Sequence, residues 1–573
     1  MKKLLLFFTL PIFLFGFIKF KLNRREIITS IETRKNNSFG CSPYSGGDMV
    51  AGEDGKFITI LPGWGNYGYS ISTKNDSTQF YFNQGLNMYY SYHWQEANAS
   101  FKEAARFDPG SGMAYWGQAL AMGPGYNFSL HYKMRKEVPG VIQLMNQHID
   151  LATAKEKKLI EVMNFRYSSD TADTQRSSLN LAYAHGMREL MTLYPADPDI
   201  KILYVDAVML IHAWDLWNND GTPKKWTPEV IHLCEEVLQE NPRHPAALHY
   251  YIHLTEASRH PEVALASADT LKDLMPGVAH MIHMSSHEYE RNGSYAMGVE
   301  VNDRADDDMI NYESLAKNIH LRKHAFHYFA VQAYCGLSGA MYNIGLADAI
   351  RCRKSVTASF DDTYQQYLYM MPAFTMLRMG KWEELLKDDS EPDASWTYAG
   401  LIYDFARGMA FINTGHTDSA RRYLILLQRK LKDSILNVAD TLSNKAMQGA
   451  VIAREILSSS IFFSAKKYDS AIAHINHAIQ VEDGLFYYEP KDWLIPARQF
   501  LGAYYLKMGK PDMAEKTYRE DLIWNPGNGW SLLGLCQSLK AQNKPEQIAG
   551  YQKTYLNAFS GAEQVPPGSV YMN

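Results

Sequence analysis

The chain has 573 residues, 46% of them apolar and 21% charged, which is the composition of an ordinary folded protein too long for one small core. Its formal net charge of −5 is the wrong sign for nucleic-acid binding, so no nucleic-acid partner is expected. Five cysteines (Cys41, Cys234, Cys335, Cys352, Cys536) show neither metal-ligand spacing nor a disulfide framework, and most read as small buried side chains.

Residues 1–25 read as a signal peptide or membrane anchor. Lys2 and Lys3 precede "LLLFFTLPIFLFGFI", the length of a signal-peptide apolar core and short for a full span. No A-x-A site follows, and the basic flank "KFKLNRRE" suits an uncleaved anchor. The expected location is extracytoplasmic, periplasm or cell envelope, with an N-terminal membrane tether left open. Cys41 lies too far beyond the apolar run to be a lipidation site. Residues 26–77 are rich in Gly, Ser and Asn and read as linker and irregular structure.

Beyond them a 34-residue scheme recurs. In "FNQGLNMYYSYHWQEANASFKEAARFDPG", Gly85 is followed by Ala97, Phe101, Ala104 and Pro109. In "ARQFLGAYYLKMGKPDMAEKTYREDLIWNPG", Gly502, Tyr505, Gly509, Ala514, Tyr518 and Pro526 occupy matching places. "YDFARGMAFINTGHTDSARRYL" repeats it with Gly408, Phe411, Gly415, Ala420 and Leu424. The period, the small residues where two helices cross and the closing proline resemble the tetratricopeptide repeat. A lone helix pair cannot bury its apolar face, so neighbours must stack. The resemblance implies an all-α, right-handed α-solenoid of eight or nine helix-turn-helix repeats over 78–560, with a tail at 561–573. The period is weaker over 130–200, where a local irregularity is expected. Beyond the repeat itself, "MAYWGQALAMGPGYN", "HYYIHLTEAS", "AHMIHMSSHEYERNGSY" and "YREDLIWNPGNGWSLLGL" resemble a group of large bacterial tetratricopeptide proteins, a likeness that implies a fold and no reaction.

Thirteen of the nineteen histidines lie between His185 and His327. In "ALHYYIHLTEAS", His249, His253 and Glu256 stand at i, i+4 and i+7, on one helix face. His283, His287 and Glu290 repeat that spacing 34 residues later, one repeat period on, which makes the two triplets equivalent positions of neighbouring repeats. His280 adds an imidazole one turn earlier on the second stripe, and "HLRKHAFHYFAVQAYCG" presents His320, His324 and His327. The resemblance implies that these first-helix places line the concave groove. The i, i+4 pair is the helical spacing of zinc sites. The expected metal ligands are His249, His253, His280, His283, His287, His324 and His327, with Glu256 as ligand or general base and Glu290 and His320 at the edge. The set suits zinc, iron, manganese or copper. His93, His131, His148, His416, His474 and His477 read as surface or core residues.

An insertion near 217–228, "LIHAWDLWNNDGTPKKWTPEV", breaks the period. His212, Trp214 and Asp215 at its start are candidate binding residues, with Asp215 placed to orient a ligand imidazole. "EPKDWLIPARQ" and "NPGNGWSL" read as helix starts and turns, with structural roles for their prolines. No Walker loop, G-x-S-x-G or dinucleotide fingerprint is present. Two functional classes stay open: a His/Glu pocket that binds a transition metal or a small polar ligand, in one form an enzyme with metal-activated water, and a metal-free scaffold whose groove holds a peptide or a partner protein.

Overall fold

The computed structural model of the chain describes residues 51–60, 62–127, 132–170, 172–315, 326–438 and 444–572, and their side chains except at 310–315 and 326. The N-terminal 50 residues, His131, His320 and His324 lie outside the described residues. Among the described residues the chain is all-α, and its one sheet-like contact is an isolated antiparallel bridge between Trp217 and Pro223 in the insertion. Successive helices pack in tetratricopeptide-like pairs joined by short turns. The helices that matter below are α1 (Asp76–Tyr90), α2 (Trp94–Phe107), α3 (Pro245–Thr255), α4 (Ala279–Arg291), α5 (Tyr295–Leu315) and α6 (Phe326–Ser338).

Local chemistry sets the helix ends. The Asn75 side chain accepts from the backbone N–H groups of Ser77 and Thr78 at the start of α1, and Pro245 opens α3 where no N–H is needed. Inside each of eight pairs, the turn holds one residue at a left-handed φ of 56 to 82°. Glycine takes that place at Gly293, Gly380, Gly415 and Gly509, while Tyr92 takes it between α1 and α2 at φ 58°. A bulky side chain is strained there.

The small residues of the repeat scheme sit where helices cross. A Cβ on Gly85 would stand 2.8 Å from the Phe101 ring, and one on Gly117 2.3 Å from it. Gly502 and Gly534 grip Tyr518 in the same way, at 2.4 and 2.3 Å. Gly117→Ala is therefore expected to lower stability by about 1–3 kcal/mol through overpacking. Gly550→Ala, in an exposed helix with nothing within 4 Å, should be neutral or stabilising. Urea unfolding of the two variants checks the contrast.

The apolar interior forms two large clusters, one running from Ile58 to Tyr328 and one from Phe329 to Val570. Residues 51–75 are non-helical yet anchored: Trp64 and Ile71 are buried, the Tyr67 hydroxyl donates to Asp199 at 2.7 Å, and Gly277 N donates to Gly63 O at 2.9 Å. Within the stretch 130–200, where an irregularity is expected, the helices Val138–Gln147, Ala154–Asn164 and Arg176–Leu193 are of uneven length, the first two joined through the short turn Ile149–Leu151.

One stretch departs from its sequence reading. "EPKDWLIPARQ" is not the start of a helix over most of its length. The helix begins at Ala497, and residues 484–496 run as an irregular strap. Pro490 and Pro496 deny the backbone a helical ladder there. The strap is pinned by buried Trp493, whose indole N–H donates to Ile495 O at 2.8 Å, and by the Tyr367 hydroxyl donating to Lys491 O at 2.6 Å. Asn219 of the insertion donates to Gly484 O at 3.0 Å, so insertion and strap meet. "NPGNGWSL" does start a helix, at Gly529, capped by the Asn528 side chain.

Candidate metal centre

α3 and α4 lie side by side, as the 34-residue offset requires, and present His249, His253 and Glu256 from one and His280, His283, His287 and Glu290 from the other. α6 adds His327. Two imidazole triads result. The ligand atoms of His249, His253 and His280 lie within 4.8 Å of one another, and so do those of His283, His287 and His327. His280 thus crosses to the ligands of α3 rather than staying with its own stripe. The triads adjoin: the His253 and His287 rings are 6.3 Å apart, as are those of His280 and His283.

Five of the six rings are held from outside by an oxygen, His280 being the exception. His249 Nδ1 donates to Tyr90 O at 2.7 Å and His283 Nδ1 to Asn302 Oδ1 at 2.6 Å. His253 and His287 give their Nδ1–H groups to the two oxygens of one carboxylate, Glu256, at 3.0 and 2.9 Å. The backbone of Glu489 hydrogen-bonds His327. The Nε2 atoms consequently face inward. Those of His283 and His287 are 3.0 Å apart, and those of His249 and His280 are 3.1 Å apart. Nε2 of His253, Nε2 of His327 and Nδ1 of His280 are buried with no hydrogen-bond partner. Ions that bind imidazole at 2.0–2.1 Å hold neighbouring nitrogens about 3.3–3.5 Å apart, so small movements convert each triad into a ligand set.

Sequence reasoning placed Glu256 as ligand or base. The structure puts it behind the rings, with both oxygens taken up in orienting His253 and His287, the arrangement by which carboxylates fix ligand tautomers. Glu290 is buried and neither of its oxygens has a partner. His212 stacks on Trp226 at 3.6 Å, and Asp215 pairs with Lys224 at 3.0 Å. Neither is brought to the triads, because the turn of the insertion points them toward its own second half. Trp214 does reach the site: it stacks on Tyr126 at 5.2 Å and meets the His253 ring edge-on at 6.3 Å. With 38% of its surface exposed, it forms the rim over rings that are at most 1% exposed in the first triad.

Three contributors were not foreseen. Glu489, carried in by the strap, sets Oε2 2.5 Å from His287 Nδ1. That N–H is aligned on Glu256, and Glu489 is left without an aligned donor. Tyr92 packs its ring on His249, His253 and His280 at 4.4, 5.6 and 5.8 Å. His93 reaches the first triad's edge, 6.5 Å from His280. The other histidines set aside, where described, do stay away: His474 and His477 both contact Glu455, His148 stacks on Tyr115, and His416 bonds Thr414.

Burial dominates the electrostatics. It pushes His253 and His327 down to about 3 and holds His249 and His280 well below the usual imidazole range. At His287 burial opposes the charge, but Glu489 and Glu256 override it and raise the pKa well above 6.5. Burial pushes Glu290 up to about 8 and raises Glu288 and Glu489, with Glu256 adding to the last two. A metal-free interior therefore holds one charged imidazole between two carboxylates.

No family model and no curated protein matches the chain. Among solved structures, a human IFIT1 dimer with PPP-AAAA is similar at 10% identity and a TM-score of 0.32, covering 74% of this chain and 86% of that one. A human IFIT1 dimer with m7Gppp-AAAA follows at 10% identity and 0.31, over 84% and 90%. The Naa15/Naa10 complex bound to HypK-THB is similar at 11% identity and 0.20, over 84% and 70%. TM-scores this low say nothing about the site.

Proposed function

We propose that this helical-repeat protein binds a transition-metal ion through the inward Nε2 atoms of its middle repeats, with His283, His287 and His327 as the minimum site and Glu256 as the group that positions them. One observation carries the reading. His283 and His287 both commit Nδ1 to an oxygen, and their Nε2 atoms face each other at 3.0 Å. Two lone pairs at that distance require a cation between them. Without metal, the extra proton on His287 serves. An ion that prefers imidazole (zinc, copper, iron) replaces it. A bare structural network would not leave the His253 and His327 nitrogens without partners in a dry interior. A peptide in the groove is disfavoured at this place, because the chain's own 484–496 strap already covers it.

Elemental analysis after reconstitution of tag-free protein tests the reading. His253→Gln with His287→Gln takes one ligand from each triad and should reduce bound metal to background. His474→Gln with His477→Gln should leave it unchanged. Wild-type protein that stays metal-free after reconstitution would overturn the proposal. We also propose that the protein works outside the cytoplasm, on the strength of Lys2, Lys3 and the apolar run after them. Cell fractionation should recover it in the envelope or periplasm, and cytosolic protein with an intact N-terminus would end that reading.

A further inference from the structure

We infer that the centre holds two transition-metal ions, one in each triad. This rests on the metal reading above and extends it to the first triad, His249, His253 and His280.

The first triad is a built site in its own right. Its rings are at most 1% exposed, and two of its nitrogens, His253 Nε2 and His280 Nδ1, have no partner. Tyr92 presses on all three rings from a turn position that four other pairs give to glycine, and its buried hydroxyl also lacks a partner. Strain of this kind persists where surrounding structure enforces it, commonly at functional sites. The ligand atoms fall into two separate sets of three, each within 4.8 Å, so each triad can hold its own ion.

Ligand chemistry narrows the ion. All six ligand groups are imidazoles, with no thiolate and no carboxylate in either triad, a donor set that suits zinc, copper or iron.

Titration of tag-free, metal-free protein with zinc and, anaerobically, with Cu(I), read by elemental analysis after desalting, tests the inference. Two ions per chain are expected with the metal that binds. His249→Gln with His280→Gln should leave one, and His283→Gln with His327→Gln should also leave one. If the first variant fails to fold by circular dichroism, His280→Asn, which removes a residue with a single polar contact, takes its place. A wild type that saturates at one ion, or one that takes two while the first-triad variant keeps both, overturns the two-ion assignment and leaves the metal reading standing. No metal of any kind removes both readings.

Discussion

Glu256→Ala should abolish metal binding and destabilise the fold by about 3–5 kcal/mol, the cost of breaking a buried ion pair from one side. The carboxylate is 1% exposed and accepts from His253 Nδ1 at 3.0 Å and His287 Nδ1 at 2.9 Å. Alanine strands a charged imidazole with only the misaligned Glu489 beside it, and leaves the His253 N–H with no acceptor in a dry interior. Glu256→Gln separates the two roles. The amide has one acceptor oxygen, so it keeps one imidazole oriented and releases the other. It should fold with a smaller loss and bind metal about 10–100-fold more weakly, as loss of an orienting partner does elsewhere. Urea unfolding and a competitive metal titration measure the two effects. An alanine variant within 1 kcal/mol of wild type, on the same scale, would show that the carboxylate is solvated and idle.

Much of this centre was visible as periodicity. The shared 34-residue offset brought the two stripes onto neighbouring helices and His253 to 6.3 Å from His287, because stacked repeats carry equivalent residues to equivalent faces, whereas His249 meets His280 and not its equivalent His283. The crossing glycines were legible for the same reason, and Gly85 and Gly502 hold the Phe101 and Tyr518 rings expected of them. What the sequence hid depends on the curl of the whole array. Glu489 lies some two hundred residues from His287, and no local pattern links them. The available signal was length: 484–496 is far longer than the few residues that join two packed helices. Burial was hidden too. The resemblance places the stripes in the groove, and no local pattern shows that Tyr92, Tyr126, Trp214 and the strap close over them. The conservative Gln variants above follow from that burial, since Ala at fully buried histidines would open cavities. Asp215 does not orient a ligand imidazole because the insertion supplies its own cation, Lys224, further along the chain.

Metal affinity should fall at least tenfold for each pH unit lost below the folded pKa of His287, since a ligand imidazole must shed its proton to bind. The break should not come at 6.5. Glu489 and Glu256 hold the His287 proton well above that value, so the dependence extends through neutral pH. The other ligands add little slope, because burial already keeps His253 and His327 neutral down to about 3. The same shifts set the stability of the metal-free chain, with opposite signs. A depressed imidazole contributes stability that is present above 6.5 and lost as pH falls, about 2 kcal/mol each for His253 and His327 by pH 5. A raised group works the other way. His287 contributes stability that is full below 6.5 and lost as pH rises through its folded pKa, and Glu290, pushed up to about 8, loses its contribution as pH climbs from about 4.5 to 8. The two sets oppose each other, so the metal-free protein should show a shallow stability profile between pH 5 and 7. Metal-bound protein should show a steep one that falls toward acid, because the ion displaces the His287 proton and each proton returned weakens the complex. Urea midpoints measured across that range, with a chelator and with saturating metal, separate the two profiles. Identical slopes in both conditions would mean that the ion binds without displacing a proton, and His287 would then not be among its ligands.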